Sequence, residues 1–138
     1  IWARVLIILL ITWRWTGYNM IFFLSGMQNI DSEIYEAASI DGASKWQQFI
    51  KVTIPNLKPI ILFTSITSTI GTLQLFDEVQ NITGGGPANA TTTLSQYIYN
   101  LSYKFTPNFG YAAAVSFVIV SFIVILSIIQ TKVGGESR

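Results

Sequence analysis

Three apolar stretches divided by two polar segments organise this chain. The first runs from about Val5 to Met27, the second from about Ile60 to Phe76, and the third from Tyr111 to Ile129. A helix that crosses a bilayer needs about 20 largely apolar residues, so each stretch predicts a span. The third contains no charge and is the clearest. The second is short and rich in Thr and Ser, which also suits a buried soluble helix. Its hydroxyls can bond back to the preceding turn, so lipid or a helical neighbour accepts it. The first carries Arg14. A charge at that depth faces protein or water; the other reading starts the span later and lets Arg14 snorkel to the outer surface. The predicted fold class is all-α, with polytopic membrane helices.

Basic residues orient these spans. Lys45, Lys51 and Lys58 lie between the first two stretches, and Lys132 and Arg138 follow the third. Only Lys104 lies between the second and third, with Arg4 at the start of the chain. Cytoplasmic segments collect Lys and Arg, so residues 28–58 and the tail are expected inside and residues 77–108 outside. The inner segment is amphipathic, with Ile34, Ala37, Ala38 and the pair Trp46 and Phe49 at helical spacing. Asp31 suits an N-cap and Glu33 the first turn. Gly42 accepts a sharp turn at least steric cost. Two helices, roughly 32–40 and 43–53, are therefore predicted around a bend at Asp41-Gly42, with Pro55 and Pro59 punctuating the return to the membrane. The outer segment reads as loop, through Thr83-Gly84-Gly85-Gly86-Pro87 and the polar run Asn89 to Thr93, with a short helix from Thr93 to Leu101. Pro107 and Gly110 precede the third span.

Composition agrees with membrane residence. Hydrophobic residues make up 51% and charged residues 11%, against about 25% charged in ordinary soluble domains. A net charge of +1 gives no electrostatic case for nucleic acid. Cysteine and histidine are both absent. That removes disulfides, thiolate or imidazole metal sites, and Ser-His-Asp or Cys-His catalysis. The start at Ile1-Trp2-Ala3-Arg4, without Met or a signal-peptide layout, reads as a fragment.

The inner segment carries the most specific motif. Glu36-Ala37-Ala38 is followed by three residues and Gly42, then nine residues, Val52, one residue, Ile54 and Pro55. This resembles the EAA loop of ABC importer permeases, whose pattern is E-A-A, three residues, G, nine residues, I, any residue, L, P. Val52 and Ile54 keep the apolar character of the family's Ile and Leu, and the match extends to Asp41-Gly42-Ala43 and Phe49. Asp31 departs from a common Pro, which touches only the helix start. The plainer reading is an amphipathic helix on the membrane surface. The acids Asp31, Glu33, Glu36 and Asp41 oppose it, because the cytoplasmic leaflet is negative.

A second match lies outside. Phe76-Asp77, Thr83 to Pro87, Thr91-Thr92-Thr93 and Phe109-Gly110-Tyr111-Ala112-Ala113-Ala114 are similar to the carbohydrate branch of these permeases, of the maltose and multiple-sugar type. Gly-Gly-Gly-Pro alone would read as a flexible turn, and no Gly-Lys-Ser/Thr follows to make a phosphate cradle. Asn-x-Ser/Thr triplets at Asn81, Asn89 and Asn100 are of a kind that arises by chance.

The resemblance implies the C-terminal part of a type I importer permease domain, multi-pass in a bacterial inner membrane with its C-terminus cytoplasmic. It implies ABC ATPase subunits, a second permease subunit, an extracytoplasmic substrate-binding protein, membrane lipid and a sugar as partners. No cofactor and no enzymatic activity of its own are implied; ATP is consumed by the ATPases. Glu36, Ala37, Ala38, Asp41, Gly42, Ala43, Phe49 and Pro55 would form the ATPase-coupling loop. Physically, small side chains at Ala37, Ala38 and Ala43 let another backbone approach, and Glu36 offers a carboxylate to a basic partner.

A substrate path is the remaining expectation. Tyr18 shares a face with Arg14, and Ser68, Thr72 and Leu75 share a face of the second span. Hydroxyl and guanidinium groups suit sugars, whose hydroxyls need partners when desolvated. Trp13 and Trp15 can stack on a sugar ring or belong to an interfacial aromatic belt. The family's lining positions fall on these spans, which supports Arg14, Trp15, Tyr18, Ser68, Thr72 and Leu75. Three rivals remain: a permease for amino acid, peptide or phosphate, a membrane enzyme resting on Asp77 and Glu78, and a structural anchor.

Overall fold

The first apolar stretch folds as one unbroken helix, α1 (Trp2–Gln28). At 1.5 Å per residue it is about 40 Å long, enough to cross a bilayer. The computed structural model describes residues 1–135; Arg138, counted above with the inner basic residues, lies outside the described residues. Asn29 ends α1, its side chain donating to the Ser25 carbonyl at 3.0 Å. Asp31 then caps α2 (Ser32–Ile40), accepting from the Glu33 backbone N–H at 3.1 Å.

The bend falls where the sequence puts it. Gly42 has φ +78°. Its N–H donates to Ser39 O at 3.1 Å and the Ala43 N–H to Ala38 O at 2.9 Å. This is the Schellman pairing, which satisfies the last carbonyls of a helix through a left-handed residue. Ser44 then opens α3 (Lys45–Gln48) with a capping box closed by Gln47.

Beyond Gln48 the structure departs from expectation. The chain does not break at Pro55 and Pro59. It passes through a π-helical turn, Phe49–Thr53, into α4 (Ile54–Leu73), so that Lys45–Leu73 is one helical run of 29 residues. The wide turn hands Phe49 O to the Ile54 N–H, and the Asn56 side chain donates to Val52 O at 2.7 Å. Pro55 follows directly on the wide turn, where the ladder has already shifted from four residues to five, and Pro59 removes one ladder bond without ending a helix held by neighbours. The run also stops earlier than predicted. Leu75 and Phe76 lie past its end.

Residues 74–108 form a cap of short pieces: a π-helical turn Val79–Thr83, α5 (Leu94–Tyr99) capped by Thr93, and a further π-helical turn Asn100–Lys104. The short helix expected over 93–101 is thus present and runs on to Lys104. Asn108 opens α6 (Phe109–Gly135), accepting from the Tyr111 N–H at 3.0 Å.

Helix α4 packs against both α1 and α6. Small residues make the close approaches: Gly26 of α1 against Leu57 and Ile60, Gly71 of α4 against Trp15, and Gly134 of α6 against Leu62. Such residues are what helices use where no hydrophobic effect drives them together. Polar pairs add to this, with Asn19 to Ser68 at 3.1 Å and Gln130 to Thr69 at 2.8 Å. These contacts make α1 and α6 antiparallel to α4, so the α2–α3 corner and the end of α6 share one end of the bundle. Leu9, Phe117 and Phe122, at 66%, 74% and 57% exposed, belong to an apolar outer surface far larger than soluble monomers tolerate. Among the described residues, three helical runs are long and apolar enough to cross a membrane.

Candidate functional site

The corner formed by α2 and α3 is fastened from inside by polar side chains. Gln48, only 4% exposed, donates to Ser39 Oγ at 2.8 Å and to Ala43 O at 3.1 Å. Tyr35 Oη and Thr53 Oγ1 are bonded at 2.8 Å, tying α2 to the π-helical turn. Buried polar groups must be paired, and here the pairs set the angle between two helices. Reading the sequence by its apolar period passed over Gln48, Tyr35 and Thr53. The period carried no signal for them, because Ile34, Trp46 and Phe49, which set it, are the exposed residues.

With its inside fastened, the corner presents the expected residues outward. Glu36, Ala37, Asp41, Gly42, Phe49 and Pro55 are exposed, and Ala38 and Ala43 are half-buried. Large apolar side chains project with them: Ile40 is 86% and Trp46 70% exposed, the latter stacked on Phe49 with ring centroids 5.8 Å apart. A cleft of about 380 Å³ lies behind the bend, lined by Ala38, Gly42, Ala43, Gln48, Lys51 and Val52 among others. The arrangement is a rigid, apolar-tipped knob with an acidic shoulder.

The membrane helices place the path residues less uniformly. Arg14, midway along α1, pairs with Glu78, and its guanidinium carbon lies 5.3 Å from the Trp15 ring centroid. Of the two readings of Arg14, the protein-facing one describes this geometry. An aromatic ladder continues down α1, Trp15 to Tyr18 at 5.4 Å edge-on, Tyr18 to Phe22 at 5.0 Å, and across to Phe63 of α4 at 5.3 Å. Trp15 is packed against Gly71, with its Nε1 buried and unpartnered, whereas Trp13 is 84% exposed beside Leu9 and Leu10. Ser68 bonds Asn19 and also borders a cleft between α4 and α6 with Thr72. Thr72 is exposed. Leu75 does not share the helical face assigned to it. The chain has left α4 by then, and Leu75, 6% exposed, packs with Ile7, Ile11 and Val79. The six residues thus do not meet in a single cleft. Arg14, Trp15 and Tyr18 group on α1, and Ser68 and Thr72 on α4.

The glycine-rich loop is a built object rather than a flexible turn. Thr83 and Thr91 hydroxyls bond at 2.7 Å, Thr91 Oγ1 donates to Gly86 O at 2.8 Å, and Thr93 Oγ1 donates to Leu75 O at 2.6 Å. Gly84 and Gly85 have φ +56° and +87°, and a Cβ on Gly85 would meet Thr92 Oγ1 at 2.7 Å. Beneath it Gln96, fully buried, donates to Gln80 Oε1 at 2.6 Å. Arg4 Nε reaches Ala90 O at 2.9 Å, fastening the loop to the start of α1. Asp77 is exposed while Glu78 is buried against Arg14, so the two acids do not face one site.

Apolar helices with a fastened knob at one end and a threonine-latched loop at the other describe a polytopic membrane protein. The chain belongs to the family described as the inner membrane component of binding-protein-dependent transport systems, which matches residues 1–134. It is similar to the lactose transport system permease protein of Rhizobium radiobacter, 66% identical over 99% of this chain and 47% of the relative. It is also similar to the arabinooligosaccharides permease protein of Bacillus subtilis, 37% identical over 96% of this chain and 42% of the relative. The trehalose/maltose permease protein of Thermococcus litoralis is 39% identical over 91% of this chain and 42% of its own length. The chain therefore spans less than half the length of these relatives.

Proposed function

We propose that this chain forms part of the membrane-spanning permease subunit of an ATP-driven, binding-protein-dependent sugar importer in a bacterial inner membrane. The observation that carries the reading is the α2–α3 knob, in which Glu36-Ala37-Ala38 and Gly42 fall at the spacing of an ATPase-docking loop on a bend fastened by Gln48. Ile40 and Trp46 would enter an apolar groove of the ATPase, and Glu36 would meet a basic side chain at its rim. The helical run Lys45–Leu73 supports transmission, because a knob continuous with a membrane helix cannot move without moving that helix. ATPase closure would thus bias a two-state arrangement of the spans. Two ATPases, a second permease and an extracytoplasmic binding protein complete the assembly. A sugar is favoured as substrate because the three relatives are each named for sugar transport.

Sidedness tests the reading directly. The chain has no cysteine, so an Ile40→Cys variant carries one thiol. In intact cells it should react with a membrane-permeant maleimide and not with an impermeant one, and added ATPase should protect it in inverted vesicles. Labelling by the impermeant reagent from outside would end the proposal. The path is tested separately. Tyr18→Ala and Thr72→Ala should each raise severalfold the KM for the sugar that the parent complex imports, while the ATPases still co-purify. Uptake kinetics equal to the parent's would remove those residues from the path.

A further inference from the structure

Glu78 is a buried carboxylate, 9% exposed, placed against a guanidinium whose side chain is 45% exposed. The segment that carries it folds back along α1. Leu75 and Val79 pack on Ile7 and Ile11, which brings Glu78 level with Arg14. The acid is hidden and the cation is left half open, on the helix face that also carries Tyr18. Arg14 has five N–H donors in a fixed fork, and a single carboxylate engages two of them. The remaining donors are free for hydroxyl or carbonyl oxygens, while the net charge of the pair is zero.

We propose that Glu78 determines the charge selectivity of the path by cancelling Arg14, so that the site offers guanidinium hydrogen bonds to an uncharged polyhydroxyl solute without the field that would capture an anion. This rests on the reading of the Arg14–Tyr18 face as part of a path. Glu78 acts through Arg14 and is a positioning residue: it holds the fork's orientation and neutralises it, and touches no solute itself. With Glu78 neutral, the same fork becomes an unpaired cation, and such a group in a low-dielectric wall concentrates anions.

The test reads local potential, which a merely structural role would not move. In the assembled complex, the thiol of a Tyr18→Cys variant is labelled with a negatively charged (sulfonatoethyl) and a positively charged (trimethylammonioethyl) methanethiosulfonate. The ratio of the two rates is read on this chain by mass. A unit charge about 8 Å away, at an effective dielectric of about 40, changes each rate about fivefold in opposite directions, so the ratio should move roughly 25-fold. Glu78→Gln should raise the anionic-to-cationic ratio by about that factor, Arg14→Gln should lower it, and Glu78→Asp should leave it within about twofold. Should Glu78→Gln alone fail to assemble, adding it to Arg14→Gln removes the remaining charge and should raise that variant's ratio by a similar factor. An unchanged ratio in Glu78→Gln, a shift of the same sign in Glu78→Gln and Arg14→Gln, or no rise on adding Glu78→Gln to Arg14→Gln overturns the proposal. Failure of the sugar-import reading shows elsewhere, as labelling of the Ile40→Cys thiol by the impermeant maleimide from outside.

Discussion

Gly42→Val should abolish sugar uptake while the chain still inserts and still carries its three membrane helices. The reason is backbone rather than bulk. A Cβ at Gly42 meets nothing within 4 Å, so the chain itself has room for a side chain. What it lacks is an allowed conformation: φ is +78°, and a β-branched residue there costs about 2 kcal/mol or more. Relieving that strain means giving up the bonds from Gly42 N to Ser39 O and from Ala43 N to Ala38 O, which set the direction in which the chain leaves α2. About 2 kcal/mol lowers the ratio of bent to unbent knob roughly thirtyfold, and uptake at limiting ATPase should fall with it, by at least about tenfold. Gly42→Asn separates the causes, because Asn tolerates the left-handed region. It should keep much of the uptake if conformation decides, and lose it if a partner's backbone lies against the glycine. Uptake by the Val variant within about twofold of the parent would refute the coupling role.

The knob was legible because its determinants are local. Asp31 as a cap and Gly42 at a left-handed position each act within four residues of themselves, and local rules read them correctly. Long uniform spans were legible for a similar reason, since length and apolar content alone decide whether a helix can cross a bilayer. Helix α4 shows where this stops. Two prolines signal a break by local rules, but the π-helical turn at Phe49–Thr53 and the flanking contacts from α1 and α6 carry the helix through them.

The less legible features depend on partners far away in sequence. Leu75 fitted a helical face by periodicity; its true environment is set by Ile7, about 70 positions away, and no period encodes that. Glu78 looked like half of a stray acid pair with Asp77, and its meaning appears only when α1 brings Arg14 to it. The Thr83-to-Pro87 loop is stiff because Thr91 and Thr92 bond across it, a function that composition reports only as polarity. Polar residues inside the bundle, Asn19 and Gln130, were likewise absorbed into apolar stretches or their edges, although each supplies a hydrogen bond between helices.

Gly71→Ala should be among the most damaging of single-methyl additions to this chain. Gly71 lies under the benzo ring of Trp15, and a Cβ there would overlap Trp15 Cζ2 and approach Cη2 at 2.7 Å. Trp15 cannot simply swing away. Its outward side is occupied by Tyr18 edge-on and by the Arg14 guanidinium, and Arg14 is in turn held by Glu78. Relief therefore requires α1 and α4 to part. Overpacking of this kind costs about 1–3 kcal/mol, and parting the helices also threatens the Asn19–Ser68 bond four residues along α1. The detergent-solubilised protein should lose several degrees in Tm. Trp15→Phe alone should cost less, because the side chain is only half-buried and leaves a cavity open at one edge. Phe does not reach the space that the benzo ring fills, so Gly71→Ala should be nearly free in a Trp15→Phe background. The two changes would then show a coupling of about 1–2 kcal/mol in a double-mutant cycle. Additive effects would mean that Trp15 does not rest on Gly71, and would return it to the choice between sugar platform and interfacial belt. Strong coupling would assign it to the joint between the two helices, with only the exposed neighbours Arg14 and Tyr18 left on that face to meet a solute.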